Sequence, residues 1–389
     1  MTVNVVSPVI RARWAAVATV AMGTFAIVTS EMLPVGLLTS IASSLKVSDG
    51  TAGLMVSLPG LVAAVSAPVI ALSTRRLDRR VPLLGLMALL AAANLAGALA
   101  PSLPVMLAAR VLTGVSIGGF WAFAAGLGTR LVPEEAVGRA TSVILSGVSV
   151  ASVLGVPAAA LVASYAGWRT AFAALGALAL ILLAVLAAVL PPMPAEEGGD
   201  GFRGAWSGPL KVVLVTTVLI ITGHFAAYTY VRPYLEQAAH AGPGLVSTAL
   251  LVYGAAAVVG NFAGGARAAR NPKPVLIARA VLIAVATAAL ALTGLPLVML
   301  VVWGLGYGGV GVALQLWIMR TGGGELGTAL FVGAFNVSVA LGSFAGGRVV
   351  DGLSISGVMW LGAVLAALTA VFAGIWGSSG TTARDAGSR

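Results

Sequence analysis

Two charged side chains in this 389-residue chain sit where charge is costly. Glu31, in "TFAIVTSEMLPVGLL" (24–38), and Arg110, in "LPVMLAARVLTG" (103–114), each interrupt an apolar run. A carboxylate removed from water holds its proton more tightly, and a nearby guanidinium loosens it again, so such a pair is suited to binding and releasing protons. A second group is His224, Tyr228 and Arg232, spaced by four and so expected along one face of a helix. Trp303 and Tyr307 repeat that spacing, Phe120, Trp121 and Phe123 cluster earlier, and Asn336 is an amide in an apolar run. Flat rings with a few donors would hold an aromatic drug or stack a sugar. Lipid or interhelix packing is the competing role for each ring. For His224 the choices are a substrate or proton contact and a satisfied hydrogen bond between helices.

The elements that position these residues follow from composition. Of all residues 59% are hydrophobic and only 9% charged, against about 25% charged in soluble domains. Mean hydropathy is +1.04. Runs of about 20 apolar residues, each long enough for a ~30 Å hydrocarbon core, recur throughout. The fold expected is all-α and integral to a membrane. Strand-like alternation is absent, so a β-barrel is not expected. There is no cysteine, which removes disulfides and thiolate metal sites; no metal or cofactor is expected.

Twelve spans are expected near 14–38, 51–73, 81–100, 104–131, 137–163 and 168–190, then 209–234, 245–267, 274–293, 296–319, 326–349 and 355–377. The Pro-, Gly- and charge-rich "PPMPAEEGGDGFRGAWSG" (191–208) reads as a cytoplasmic linker between six-helix halves, 1–190 and 209–377. Residues 378–389 read as a disordered cytoplasmic tail. Alternating sides puts 17 basic residues on one side and 4 on the other, with Arg110 inside a span. The positive-inside rule then places both termini in the cytoplasm. The net charge of +10 is thereby a topology signal, and nucleic-acid binding is not expected. With the first span ending near Leu38, Glu31 lies about 10 Å below the outer surface and Arg110 about 9 Å below it. Each unpaired charge would cost about 2.5–3.5 kcal/mol or more, so the two are expected to satisfy one another. Proton coupling is one reading and a static ion pair orienting spans 1 and 4 is the other.

The halves show internal matches. "GTFA" at 23 and "GHFA" at 223 are offset by 200, as are Thr29 and Thr229. Gly114, Gly118 and Gly119 meet Gly304, Gly308 and Gly309 at an offset of 190, and "VSVA" recurs at 148 and 337, an offset of 189. Pairing of span n with span n+6 indicates two pseudo-symmetric halves.

Over essentially its whole length the chain resembles the major facilitator superfamily, and within it the bacterial twelve-span drug:proton antiporters of the sugar-efflux, arabinose-efflux and chloramphenicol-resistance type. The resemblance rests on "TSEMLPVGLL", on "NLAGALAPSLPVMLAARVLTG" with Arg110 and Gly114 at "RxxxG" positions, on "GVPAAALVASYAGWRTAF", and on "GHFAAYTYVRPYLE". It implies a cavity lined by spans 1, 4, 7 and 10, with Glu31, Trp121, His224, Tyr228, Trp303, Tyr307 and Asn336 as candidates for substrate contact. It implies that Glu31 and Arg110 couple transport to protons. It also implies a latch between halves at Asp78 and Arg79, whose neighbouring arginines otherwise fix topology, and an antiporter motif at Gly147, Gly155 and Pro157. Departures are Thr74 in place of the loop motif's leading glycine, and alanines for the final glycines of the antiporter motif.

The expected function is secondary export of a small organic molecule in exchange for protons, from a monomer in the bacterial cytoplasmic membrane. The alternative is uptake of a sugar, nucleoside or similar metabolite. No "GxxxxGK[ST]" loop exists to power an ATP-driven pump. With His224 and His240 the only histidines and no second intramembrane carboxylate, an enzyme is not expected.

Overall fold

In the computed structural model the described residues are 13–194, except 75 and 125–126, and 207–376, except 294 and 322–323. Most of the expected linker (195–206), the expected tail, and Arg11, Arg75, Arg203, Arg384 and Arg389 of the charge tally lie outside them.

Among the described residues twelve helices are long and apolar enough to cross a membrane. In the first half they are α1 (Trp14–Leu45), α2 (Asp49–Ser73), α3 (Arg80–Ala98), α4 (Leu103–Phe123), α5 (Glu134–Ala166) and α6 (Trp168–Val189). In the second they are α7 (Gly208–Gln237), α8 (Pro243–Ala268), α9 (Pro272–Leu292), α10 (Pro296–Arg320), α11 (Gly327–Gly352) and α12 (Gly357–Trp376). Local chemistry explains several ends. Proline occupies the first turn of α8, α9 and α10, where its missing N–H costs nothing. Ser48 caps α2 by accepting from Thr51 N at 3.1 Å. Gly167, at φ +81°, makes the turn between α5 and α6 that an L side chain would strain.

α1 corrects an expected boundary. It runs on to Leu45, where Lys46 closes it in the left-handed region at φ 57°. The polar "TSIASS" after Pro34 looks like a helix end, yet Ile41 and Ala42 are buried and carry the helix on. Glu31 is therefore fourteen residues, roughly 21 Å, from the end of α1 and close to its middle.

Close helix approach builds each half. A Cβ at Gly114 would lie 2.7 Å from Pro59 O on α2, and one at Gly304 2.9 Å from Ala256 Cβ on α8. The α4–α2 and α10–α8 contacts are thus equivalent, as the 190-residue offset implied. The 189-residue match does not carry over in the same way. A Cβ at Gly147 of α5 would lie 2.9 Å from Phe25 N, while the α11 glycine whose Cβ would meet Phe225 is Gly342, at 3.1 Å from the Phe225 Cβ. Gly114→Ala is expected to cost about 1–3 kcal/mol by overpacking, read as a lower unfolding midpoint in detergent. Gly85→Ala, whose Cβ would meet nothing within 4 Å, is the neutral control.

Hydrogen bonds between the halves gather at the end of the bundle away from the linker. Arg232 donates to Glu236 Oε1 at 2.8 Å and to Gly36 O, and Thr39 donates to Glu236 Oε2 at 2.5 Å. Asp351 accepts from Ser48 Oγ at 2.7 Å and from Gly50 N at 3.1 Å. Gln237 donates to Asp49 at 2.7 Å. This end is closed.

Candidate functional site

Arg110 is 1% exposed and reaches across to α1 and α2. Its Nη1 donates to Ser30 O at 2.9 Å, Nη2 to Glu31 O at 3.0 Å and Nε to Met55 O at 2.9 Å. The expected level match with Glu31 holds, but the guanidinium goes to backbone carbonyls and not to the carboxylate. Among the described residues the Glu31 carboxylate has no hydrogen-bond partner, and the side chain is only partly buried. It lies within electrostatic reach of Arg110 and of Tyr307 in the other half. Asn94, one helix away, accepts from Ser30 Oγ at 3.0 Å and ties α1 to α3.

In the second half Tyr307 belongs to an aromatic box. His224 stacks on Tyr307 with ring centroids 3.4 Å apart and planes 5° apart, and on Tyr228 at 5.1 Å. Trp303 Nε1 donates to His224 Nδ1 at 3.2 Å, and Tyr253 Oη faces Nε2 at 3.4 Å. An indole N–H only donates, so Nδ1 carries no proton and the ring N–H is at Nε2. His224 therefore has an interhelix hydrogen bond, and its ring is spent on packing. His224, Tyr228, Tyr253 and Trp303 are buried, whereas Tyr307 keeps an exposed edge. The spacing in the sequence brings four of these rings together; Tyr253 on α8 gave no signal, being a lone aromatic in an Ala- and Gly-rich stretch.

The remaining candidates disperse. Arg232 leaves the His224 face, because the helix breaks at Thr229–Tyr230 before a last segment, Val231–Gln237. Trp121 is half-buried in the first half, edge-on to Phe120 at 6.2 Å. Asn336 donates to Val332 O of its own helix at 2.9 Å. Asp78 accepts from Met193 N at 2.9 Å and Arg80 N at 2.8 Å, and Arg79 lies over the Phe123 ring at 5.0 Å. Both bind within the first half, at the exit from α6. A Cβ at Gly155 would lie 3.0 Å from Thr29 Cγ2, and a π-helical turn, Ala151–Gly155, leads into Pro157.

A second arginine also binds the carbonyls of neighbouring helices. Arg279, counted with the cytoplasmic charges, sits seven residues into α9 and donates to Leu305 O and, at 3.2 Å, to Gly260 O. A Cβ at Gly264 or Gly309 would come within 3.0 and 3.1 Å of its guanidinium. It pins α8, α9 and α10 as Arg110 pins α1, α2 and α4.

Solved structures share this architecture. A bacterial homolog of the human lysosomal transporter Spinster, in an inward-facing and occupied conformation, superposes with a TM-score of 0.72 at 14% identity, covering 93% of this chain and 94% of that one. A variant of the nucleoside transporter NupG gives 0.72 at 12% identity, covering 92% and 98%. At such identities the likeness is one of fold. Residues 20–332 match the family model of the Major Facilitator Superfamily. The chain belongs to that superfamily, and it is a secondary transporter and not an enzyme.

Proposed function

We propose that the protein exports a small organic molecule, a drug of the chloramphenicol kind or a sugar, in exchange for protons. It would do so from a bacterial cytoplasmic membrane with both termini inside. The observation that carries this reading is Glu31: a carboxylate in mid-helix, without a hydrogen-bond partner among the described residues, within electrostatic reach of Arg110 and of Tyr307 in the other half. A group so placed can exchange its proton with whichever side the cavity opens to. In this frame the closed end is the outer one. Substrate sits between Glu31 and the aromatic wall; Asp78 and Arg79 engage the second half only when that side closes.

The test is substrate-driven proton movement in energised inside-out vesicles, with chloramphenicol-like drugs, pentoses, thiogalactosides and nucleosides. Proton efflux with one class, lost in Glu31→Gln, is the expected result. A response that survives in Glu31→Gln removes the carboxylate from the proton path. Accumulation coupled to inward proton flow in right-side-out vesicles favours uptake instead.

A further inference from the structure

In an α-helix the N–H of residue i bonds to the carbonyl of residue i−4, and proline has no N–H. Pro34 therefore leaves Ser30 O without its donor, and Pro59 does the same for Met55 O. These are two of the three carbonyls that Arg110 binds, at 2.9 Å each. The third, Glu31 O at 3.0 Å, belongs to the residue next to Ser30. Ser30 and Met55 are buried, so water does not serve their carbonyls. Neither helix breaks at its proline; each continues for more than two turns beyond it.

We infer that Arg110 is a positioning residue: it supplies the hydrogen bonds that Pro34 and Pro59 withdraw, and so fixes the backbone that carries Glu31, instead of serving as the carboxylate's ion-pair partner. This deepens the proton-carrier reading of Glu31 and rests on it for its consequence in transport, but the capping itself does not depend on what is carried. The planar fork suits the task because its N–H groups point in fixed, separate directions, toward α1 and α2 at once. An ammonium is a single point of charge and cannot span both.

The two roles differ in what compensates the loss of Arg110. If the guanidinium caps carbonyls, Arg110→Met is rescued by restoring the helices' own donors with Pro34→Ala and Pro59→Ala. If it neutralises a carboxylate, Arg110→Met is rescued by Glu31→Gln. Each set is purified in detergent and scored for monodisperse protein and unfolding midpoint. Arg110→Met and Arg110→Lys are expected to reduce monodisperse yield about tenfold, and the two alanines to return Arg110→Met to within about twofold of wild type. Glu31→Gln is expected to return nothing. An Arg110→Met protein as stable as wild type, a rescue that needs Glu31→Gln, or no rescue by the alanines overturns the capping.

The folded triple variant is then assayed for substrate-driven proton movement. Recovery of at least about half the wild-type signal is expected if Arg110 acts only through position. A folded triple variant that is silent beside a responding wild type overturns that role, because the guanidinium then takes part in the exchange itself. A silent wild type would instead count against the proposed exchange, while the folding comparison still decides the capping.

Discussion

With cysteines at Ser48 and Asp351 joined by a short bifunctional thiol reagent, transport is expected to fall to less than about a twentieth of its unlinked rate, and to return when the link is reduced. Ser48 leads into α2 of the first half and Asp351 ends α11 of the second, and their side chains are 2.7 Å apart. Alternating access requires that contact to part once per cycle. The chain contains no cysteine, so only the two introduced thiols can react. Two controls sharpen the outcome. Each single cysteine should leave transport within about twofold of wild type, since a contact at the rim contributes modestly. A pair within one half, such as Thr39→Cys with Ser48→Cys, should be indifferent to the reagent. Undiminished transport by a fully linked protein would mean that this end does not open. Uptake of substrate into vesicles, with the linked fraction read by mass, provides the measurement.

The second large effect lies in the aromatic box. Trp303 is fully buried, and Trp303→Ala is expected to destabilise the protein by about 3–5 kcal/mol through the cavity it leaves. Trp303→Phe keeps most of the volume but leaves His224 Nδ1 without its donor, a loss of about 1–3 kcal/mol. The pair distinguishes packing from hydrogen bonding. If the hydrogen bond matters as argued, His224→Phe in the Trp303→Phe background loses less than the sum of the two single changes, because both ends of the bond are gone together. Strict additivity would show that the two residues are not coupled. Thermal midpoints of the purified proteins in one detergent rank the four forms.

Much of the architecture could be read from the chain, because membrane spans are written in composition. Every expected span has its helix, and Gly114 and Gly304 announced their equivalent packing through one offset. What escaped was whatever depends on one helix meeting another. The clamp of Arg232, Glu236 and Thr39 joins residues nearly 200 positions apart, and no local pattern links them. Pro34 and the polar residues after it looked like an ending because solubility and helicity were read as one signal; Ile41 and Ala42, buried against other helices, hold α1 in place. The partners of Arg279 are not legible in the sequence, because they are carbonyls, which every residue has and no sequence motif marks. The same blindness hid the true partners of Arg110. Depth was legible there; direction was not. Among the rings, spacing by four on α7 and α10 found the box, while the break at Thr229–Tyr230 took Arg232 off its face.

The two arginine pins also differ in when they can be set. A ribosome delivers helices to the membrane in order, and N-terminal parts assemble first. When α4 enters, the carbonyls of Ser30 and Met55 are already in the bilayer, so Arg110 meets its partners on arrival. Arg279 enters with α9 and finds Gly260 on α8, but Leu305 lies on α10, which has yet to be made. Nascent chains halted between α9 and α10 would hold that guanidinium with the Gly260 carbonyl but without that of Leu305. The first half of the molecule can thus be completed as it is synthesised, whereas the second must wait for its next helix before its arginine is at rest.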